Sequence, residues 1–120
     1  MNLKRQTMRE KPNYHSPCPV ETTLNLIGNK WKILIIRDLL HGKQRFGELR
    51  KSISASKNQS ISQKVLTQNL RELEEANLVY RKVYAEVPPK VEYSLTELGQ
   101  SLKEVIESLE RWGKYYKNMS

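Results

Sequence analysis

Ser62, Gln63, Lys64, Thr67, Gln68 and Arg71 bring hydroxyl, amide, ammonium and guanidinium groups into one short stretch. Side chains of these types hydrogen-bond to base edges and phosphates in a DNA major groove. Lys64, Thr67, Gln68 and Arg71 follow one another at intervals of three, one and three, so on an α-helix they share a face. Leu66, Leu70 and Leu73 recur between them at intervals of four and three, with Val65 and Ala76 beside them. An amphipathic helix is therefore predicted over residues 61–77, its leucines turned inward and its polar face outward, with Ser60 or Ser62 as N-cap. The first half of that helix is basic and rich in amides, and the second half, with Glu72, Glu74 and Glu75, is acidic. A polar helix face that is merely solvated is the plain alternative, and the surrounding elements have to decide between the two.

Upstream, Pro19 at a first helical position and Glu21 in the first turn open a helix that Gly28 ends. Asn29-Lys30-Trp31 begins a second helix, apolar almost all round through Trp31, Ile33, Leu34, Ile35, Ile36, Leu39 and Leu40, which marks it as the core helix; Gly42 stops it. Phe46, Leu49 and Ile53 repeat at helical spacing, predicting a short third helix over residues 45–53 and a small-residue loop over residues 54–60. Downstream of Asn77 the period changes to two: residues 78–85 and Val91-Glu92-Tyr93-Ser94-Leu95 alternate as strands, and Val87-Pro88-Pro89-Lys90 separates them. The expectation is a two-stranded antiparallel hairpin with a stiff, basic tip. Thr96 caps a last helix in which Leu98, Leu102, Val105, Ile106, Leu109, Trp112 and Tyr116 form one long stripe. Either the stripe is a subunit interface, with Leu102, Ile106, Leu109 and Trp112 at the seam, or the helix folds back on its own domain.

Residues 1–17 are polar, hold Lys4, Arg5, Arg9 and Lys11, and read as a flexible basic arm; residues 18–120 form one domain, mainly α with a small antiparallel β-hairpin. A net charge of +8 points to a polyanionic partner. No apolar run approaches the roughly 20 residues that span a bilayer, no signal peptide is evident, and a lone cysteine suits a reducing cytoplasm. With His15 and His41 far apart, no glycine-rich phosphate loop and no cluster of metal ligands, neither catalysis nor a metal or other cofactor is expected. Helices, a reading helix, a hairpin and a terminal helix in this order make a winged helix-turn-helix: one helix enters a groove while the hairpin reaches the backbone beside it. Lys43, Arg45, Lys82 and Lys90, with Pro89 at the tip, would then meet phosphates, and the polar face of the reading helix would meet bases. The rival reading is a winged-helix docking module that binds another protein, which would have no need to gather Lys64, Gln68 and Arg71 on one face.

Cys18-Pro19-Val20-Glu21, Gly28-Asn29-Lys30-Trp31, Arg45-Phe46-Gly47-Glu48-Leu49-Arg50, the run from Ile61 to Leu73, and Val87-Pro88-Pro89-Lys90-Val91-Glu92-Tyr93-Ser94-Leu95-Thr96-Glu97-Leu98-Gly99 together resemble the HxlR-type family of bacterial winged-helix transcription regulators. The resemblance covers residues 18 to about 113. It implies a homodimer whose terminal helices pair, binding to an operator, and, in several members, redox or electrophile sensing through a cysteine near the first helix, here Cys18. A two-fold dimer implies an operator that is an inverted repeat. Cys18 is also open to a plainer reading as a small packing residue. Residues 54–60 form a longer loop than the usual turn before the reading helix, which leaves that helix's first residues and its operator preference open.

Overall fold

A computed structural model of the chain describes residues 13–57 and 60–120. The elements run α1 (Pro19–Ile27), α2 (Lys30–Leu39), β1 (Gln44–Arg45), α3 (Phe46–Lys57), α4 (Gln63–Glu75), β2 (Val79–Tyr84), β3 (Lys90–Leu95), α5 (Glu97–Gln100) and α6 (Lys103–Met119). This is the mainly helical winged arrangement expected, with the reading helix directly before the wing. Residues 1–12, most of the expected basic arm, lie outside the described residues. Asn13 to Pro17 lead into α1 along its side: Asn25 Nδ2 donates to the Asn13 carbonyl at 2.9 Å and Ser16 Oγ donates to the Glu21 carboxylate.

The Asn29 side-chain oxygen starts α2 by accepting from the Trp31 N–H at 2.7 Å and, more weakly, the Lys32 N–H at 3.4 Å. This helix packs against α1, α3, α4, α6 and β3, and its Ile35 and Ile36 have no exposed surface. Leu49 and Ile53 of α3, Leu66, Leu70 and Leu73 of α4, Leu78, Val79, Tyr93 and Leu95 of the wing, and Ile106 of α6 complete one core around it. Gly42 follows at φ 139°, a backbone setting that side chains rarely adopt, and the chain turns there into β1.

Three sequence expectations need correcting. The hairpin is part of a three-stranded antiparallel sheet in the order β1-β3-β2, with Gln44 opposite Tyr93 and Arg45 opposite Glu92. A two-residue strand has no alternation to read, and Arg45, expected as the first residue of the third helix, is the last residue of β1. That helix also runs on to Lys57, four residues past Ile53, so most of the expected long loop over residues 54–60 is helical. Small residues without glycine or proline do not stop a helix, and the Ser54 hydroxyl accepts from the Ile61 N–H at 3.2 Å across the remaining connection. Finally, the terminal helix is two helices. Thr96 caps only α5, accepting from the Gly99 N–H at 2.9 Å, and the chain bends at Ser101 and Leu102 before α6 begins. Tight bonds from the Ser101 N–H to Leu98 O and from the Leu102 N–H to Gly99 O make the bend.

Gly99 is required at this corner because of a close approach. A Cβ built there would lie 2.2 Å from the Leu78 carbonyl oxygen, which already accepts from the Thr96 N–H at 3.1 Å. Gly99→Ala should therefore destabilise the domain by about 1–3 kcal/mol through forced displacement of α5 from the wing, measured as a fall in the urea midpoint. An unchanged midpoint would contradict the packing described.

Candidate nucleic-acid interface

Of the two cap candidates it is Ser62 that starts α4, its hydroxyl accepting from the Val65 N–H at 3.1 Å. One further bond and one burial fix where the helix begins, since Arg50 Nε donates to the Ile61 carbonyl at 2.8 Å and Ile61 itself is buried. Burial of Leu66, Leu70 and Leu73 then determines the rotation of the helix, and Gln63, Lys64, Thr67, Gln68 and Arg71 come out on the other side lining one shallow open concavity. Five of the six predicted base-reading residues are thus together on one face; Ser62 lies at its edge with its hydroxyl engaged as a cap. Asn69 is turned inward, donating to the Val65 carbonyl at 2.8 Å while its buried Oδ1 has no partner.

Behind this face stands a chain of polar contacts that the sequence reading did not anticipate. Gln68 Nε2 donates to Glu72 Oε2 at 2.7 Å, and Glu72 Oε1 holds Lys32 Nζ of α2 at 2.7 Å with the lysine side chain only 8% exposed. Tyr14 lies close to the same region, its phenol pushed up from the ordinary value by burial and then by the Glu72 and Glu75 carboxylates. Lys32 was hidden from sequence reading because lysine is almost never buried; its interval of four from Ile36 was the available signal.

The wing adjoins the reading face. Thr67 and Arg71 share a second concavity with Glu74, Arg81 and Tyr93, so Arg81 joins the candidate surface although the sequence reading did not single it out. Arg81 lies two residues from the buried Val79 in β2 and so shares its side of the strand, which was the signal that it faces α4 rather than the wing's outer side. On the other side, three of the predicted backbone-contacting lysines collect around one pair of side chains. Tyr84 donates its hydroxyl to Glu92 Oε1 at 2.8 Å. Lys43 and Lys90 reach the Glu92 carboxylate at 3.6 and 3.5 Å, while Lys82 and Lys90 each lie 4.8 Å from the Tyr84 ring centre. Arg45 is exposed at the base of this sheet, and Pro89 is exposed before β3. The Arg45 backbone N–H donates to Glu48 Oε1 at 2.8 Å.

Away from these surfaces, Cys18 is the N-cap residue of α1 and is exposed, with no side-chain capping bond. The four residues expected at a dimer seam divide. Ile106 is in the core and Leu102 packs against it, whereas Leu109 and Trp112 are exposed on α6 beside Tyr115, Tyr116 and Met119. Trp112 and Tyr116 stack with ring centres 5.5 Å apart. Among the described residues no group of three His, Cys, Asp or Glu side chains could hold a metal ion, and no helix is long and apolar enough to cross a membrane.

Glu92 carries the pH dependence of the wing. Its carboxyl is held below the ordinary carboxylate range, first by the Tyr84 hydroxyl; burial opposes this next, and Lys43 and Lys90 then add to the lowering. A folded pKa below the unfolded one contributes stability that is present above the unfolded value and is lost as pH falls through the folded value. Carbon-detected NMR titration should find Glu92 ionising below a free glutamate, and Tyr84→Phe should move it upward. Titration at or above the ordinary glutamate value would contradict the arrangement.

Comparison with known proteins agrees with this architecture. Residues 26–120 match the model of the HxlR-like helix-turn-helix family. YdeP of Bacillus subtilis (strain 168), an uncharacterized HTH-type transcriptional regulator, is 50% identical over 101 residues, covering 84% of this chain and 75% of the relative. The structure of the redox regulator HypR in its oxidized form superposes with a TM-score of 0.73 at 47% identity, over 82% of this chain and 96% of that one. Diamide-treated YodB from B. subtilis superposes with a TM-score of 0.66 at 39% identity, over 85% and 97% of the two chains. With its winged fold, the polar face of α4 beside a basic wing and these relatives, the chain belongs to the HxlR-like helix-turn-helix family of transcriptional regulators.

Proposed function

We infer that this regulator is a cytoplasmic, sequence-specific DNA-binding protein that works as a homodimer on an inverted repeat. The observation that carries the reading is the single polar face of α4, where Gln63, Lys64, Thr67, Gln68 and Arg71 line one open surface next to the wing. Such a face fits a major groove, which admits a helix and offers a distinct donor and acceptor pattern for each base pair. Lys43, Arg45, Lys82 and Lys90 flank it and would neutralise phosphates, with Pro89 stiffening the strand connection that approaches the backbone. A docking module for another protein is the lesser reading, since it leaves this gathering of cations and amides without a use.

Pairing of two copies is supported by α6. Leu109, Trp112, Tyr115, Tyr116 and Met119 leave a contiguous apolar and aromatic strip open along the helix, Trp112 at 63% exposure, and such a strip on a soluble protein marks an interaction surface. The seam then centres on Leu109 and Trp112, with Leu102 and Ile106 supporting it from the core side.

Redox control through Cys18 is supported by its exposure and by the likeness to HypR, a redox regulator, and to YodB, whose structure was determined after diamide treatment. The chain has one cysteine, so the second thiol must be the other subunit's Cys18 or a small thiol. Two thiols would lose two electrons and two protons to the oxidant as one S–S bond forms.

Two outcomes are expected. Gln68→Ala should weaken binding to the selected site by about 1–3 kcal/mol and leave random DNA almost untouched, whereas Lys82→Ala should weaken both and reduce the slope of log K against log salt by about one. Equal losses on both DNAs for Gln68→Ala would remove it from the base-reading set. Diamide should change the affinity of the native protein for its site and leave Cys18→Ser unaffected; an identical response of the two proteins would make Cys18 a packing residue.

A further inference from the structure

The Lys32–Glu72–Gln68 chain of contacts bears on specificity rather than on stability alone. A carboxylate can only accept, so the group of Gln68 that meets Glu72 at 2.7 Å is its NH2 and the orientation of the amide is chemically determined. Its Oε1 is then the part of the amide that takes no bond from the described residues, on a side chain that is exposed on the polar face of α4. Glu72 cannot simply swing with it, because its other oxygen is tied to Lys32 Nζ at 2.7 Å and Lys32 is buried in α2. An ordinary solvated pair four residues apart on a helix would have no such anchor in the core.

We propose that Glu72, held by Lys32, is a positioning residue that sets the base preference of Gln68 by presenting the amide oxygen to the groove, so that Gln68 reads a base carrying an exocyclic amine, adenine N6 or cytosine N4. A free glutamine can turn its amide over and donate to guanine O6 and N7 instead; here that rotamer would set the Gln68 oxygen against the Glu72 carboxylate. Adenine is the better fit of the two amines, because the second amide hydrogen of Gln68 can reach its N7. The inference rests on α4 being the reading helix.

Binding-site selection from a randomised duplex pool with the full chain tests it, using the native protein, Gln68→Ala, Glu72→Gln, and Lys32→Met combined with Glu72→Gln. The double variant removes the buried ammonium that Glu72→Gln would leave without its carboxylate, so it reports on specificity even if the single variant folds poorly. The base pair whose preference disappears in Gln68→Ala identifies the contact. The preference there should flatten about tenfold in the Glu72 variants as well, the other positions keeping theirs. In the selected duplex, deleting the exocyclic amine of that pair, purine in place of adenine or pyrimidin-2-one in place of cytosine, should cost the native protein about tenfold and Gln68→Ala nothing. If the Glu72 variants retain the native preference at that pair, or if deleting the amine costs nothing, the positioning role is wrong while the reading helix stands. If the native protein enriches no sequence at all, the DNA-reading assignment itself fails and this inference falls with it.

Discussion

Burial of one leucine seam against the central helix is the constraint on which the remaining structure depends. Leu66 has no exposed surface and Leu70 and Leu73 have about 1% each, in a core built around α2. Each such side chain contributes about 1.5–3 kcal/mol on burial, so together they rival the whole net stability of a small domain. An exposed ion pair is worth about 0–1 kcal/mol and could not compete. The leucines therefore decide how α4 is rotated, and the polar face owes its outward direction to them and not to any charge it carries.

Within that frame, acidic residues arrange the cations. Glu92 draws Lys43 and Lys90 together and binds the Tyr84 hydroxyl, while Glu72 anchors Lys32 on one side and orients Gln68 on the other. A chain with a net charge of +8 would otherwise spread like charges apart over so small a surface. Glu92 does for the wing what a phosphate would do in a complex: it gives several ammonium groups a shared anion, leaving them near the positions from which a polyanion can recruit them. Compensation of this kind costs some affinity for DNA in general and limits binding driven by charge alone.

What the sequence made legible follows from periodicity and caps. Regular intervals of three and four identified α4 and its two faces, Pro19, Asn29 and Thr96 marked helix starts, and Gly28 and Gly42 marked ends. The features that escaped it are those without a period. The two residues of β1 are too few to alternate, and the Ser101–Leu102 bend arises from the corner packed around Gly99, a contact with Leu78 distant in the chain. Residues 54–57 looked like a loop because they are small, yet helix formation needs only the absence of a breaker. Tertiary partners of polar residues were equally invisible: that Lys32 meets Glu72 depends on how α2 sits against α4, and that three lysines converge on Glu92 and Tyr84 depends on how β2 and the turn before β1 lie beside β3. The apolar stripe is uniform in sequence, whereas the fold assigns Leu102, Val105 and Ile106 to the core and leaves Leu98, Leu109, Trp112 and Tyr116 open.

In the proposed complex, two copies of α4, related by a two-fold axis through the terminal helices, enter successive major grooves of one DNA site. Hydroxyl-radical footprinting of a bound site tests it most directly, since it reads the geometry of contact along each strand. Two symmetric sets of protected sugars, centred about 34 Å apart or a multiple of that distance, are the predicted result. A single protected patch bound by one copy at full affinity, or protection with no two-fold symmetry, would contradict the account.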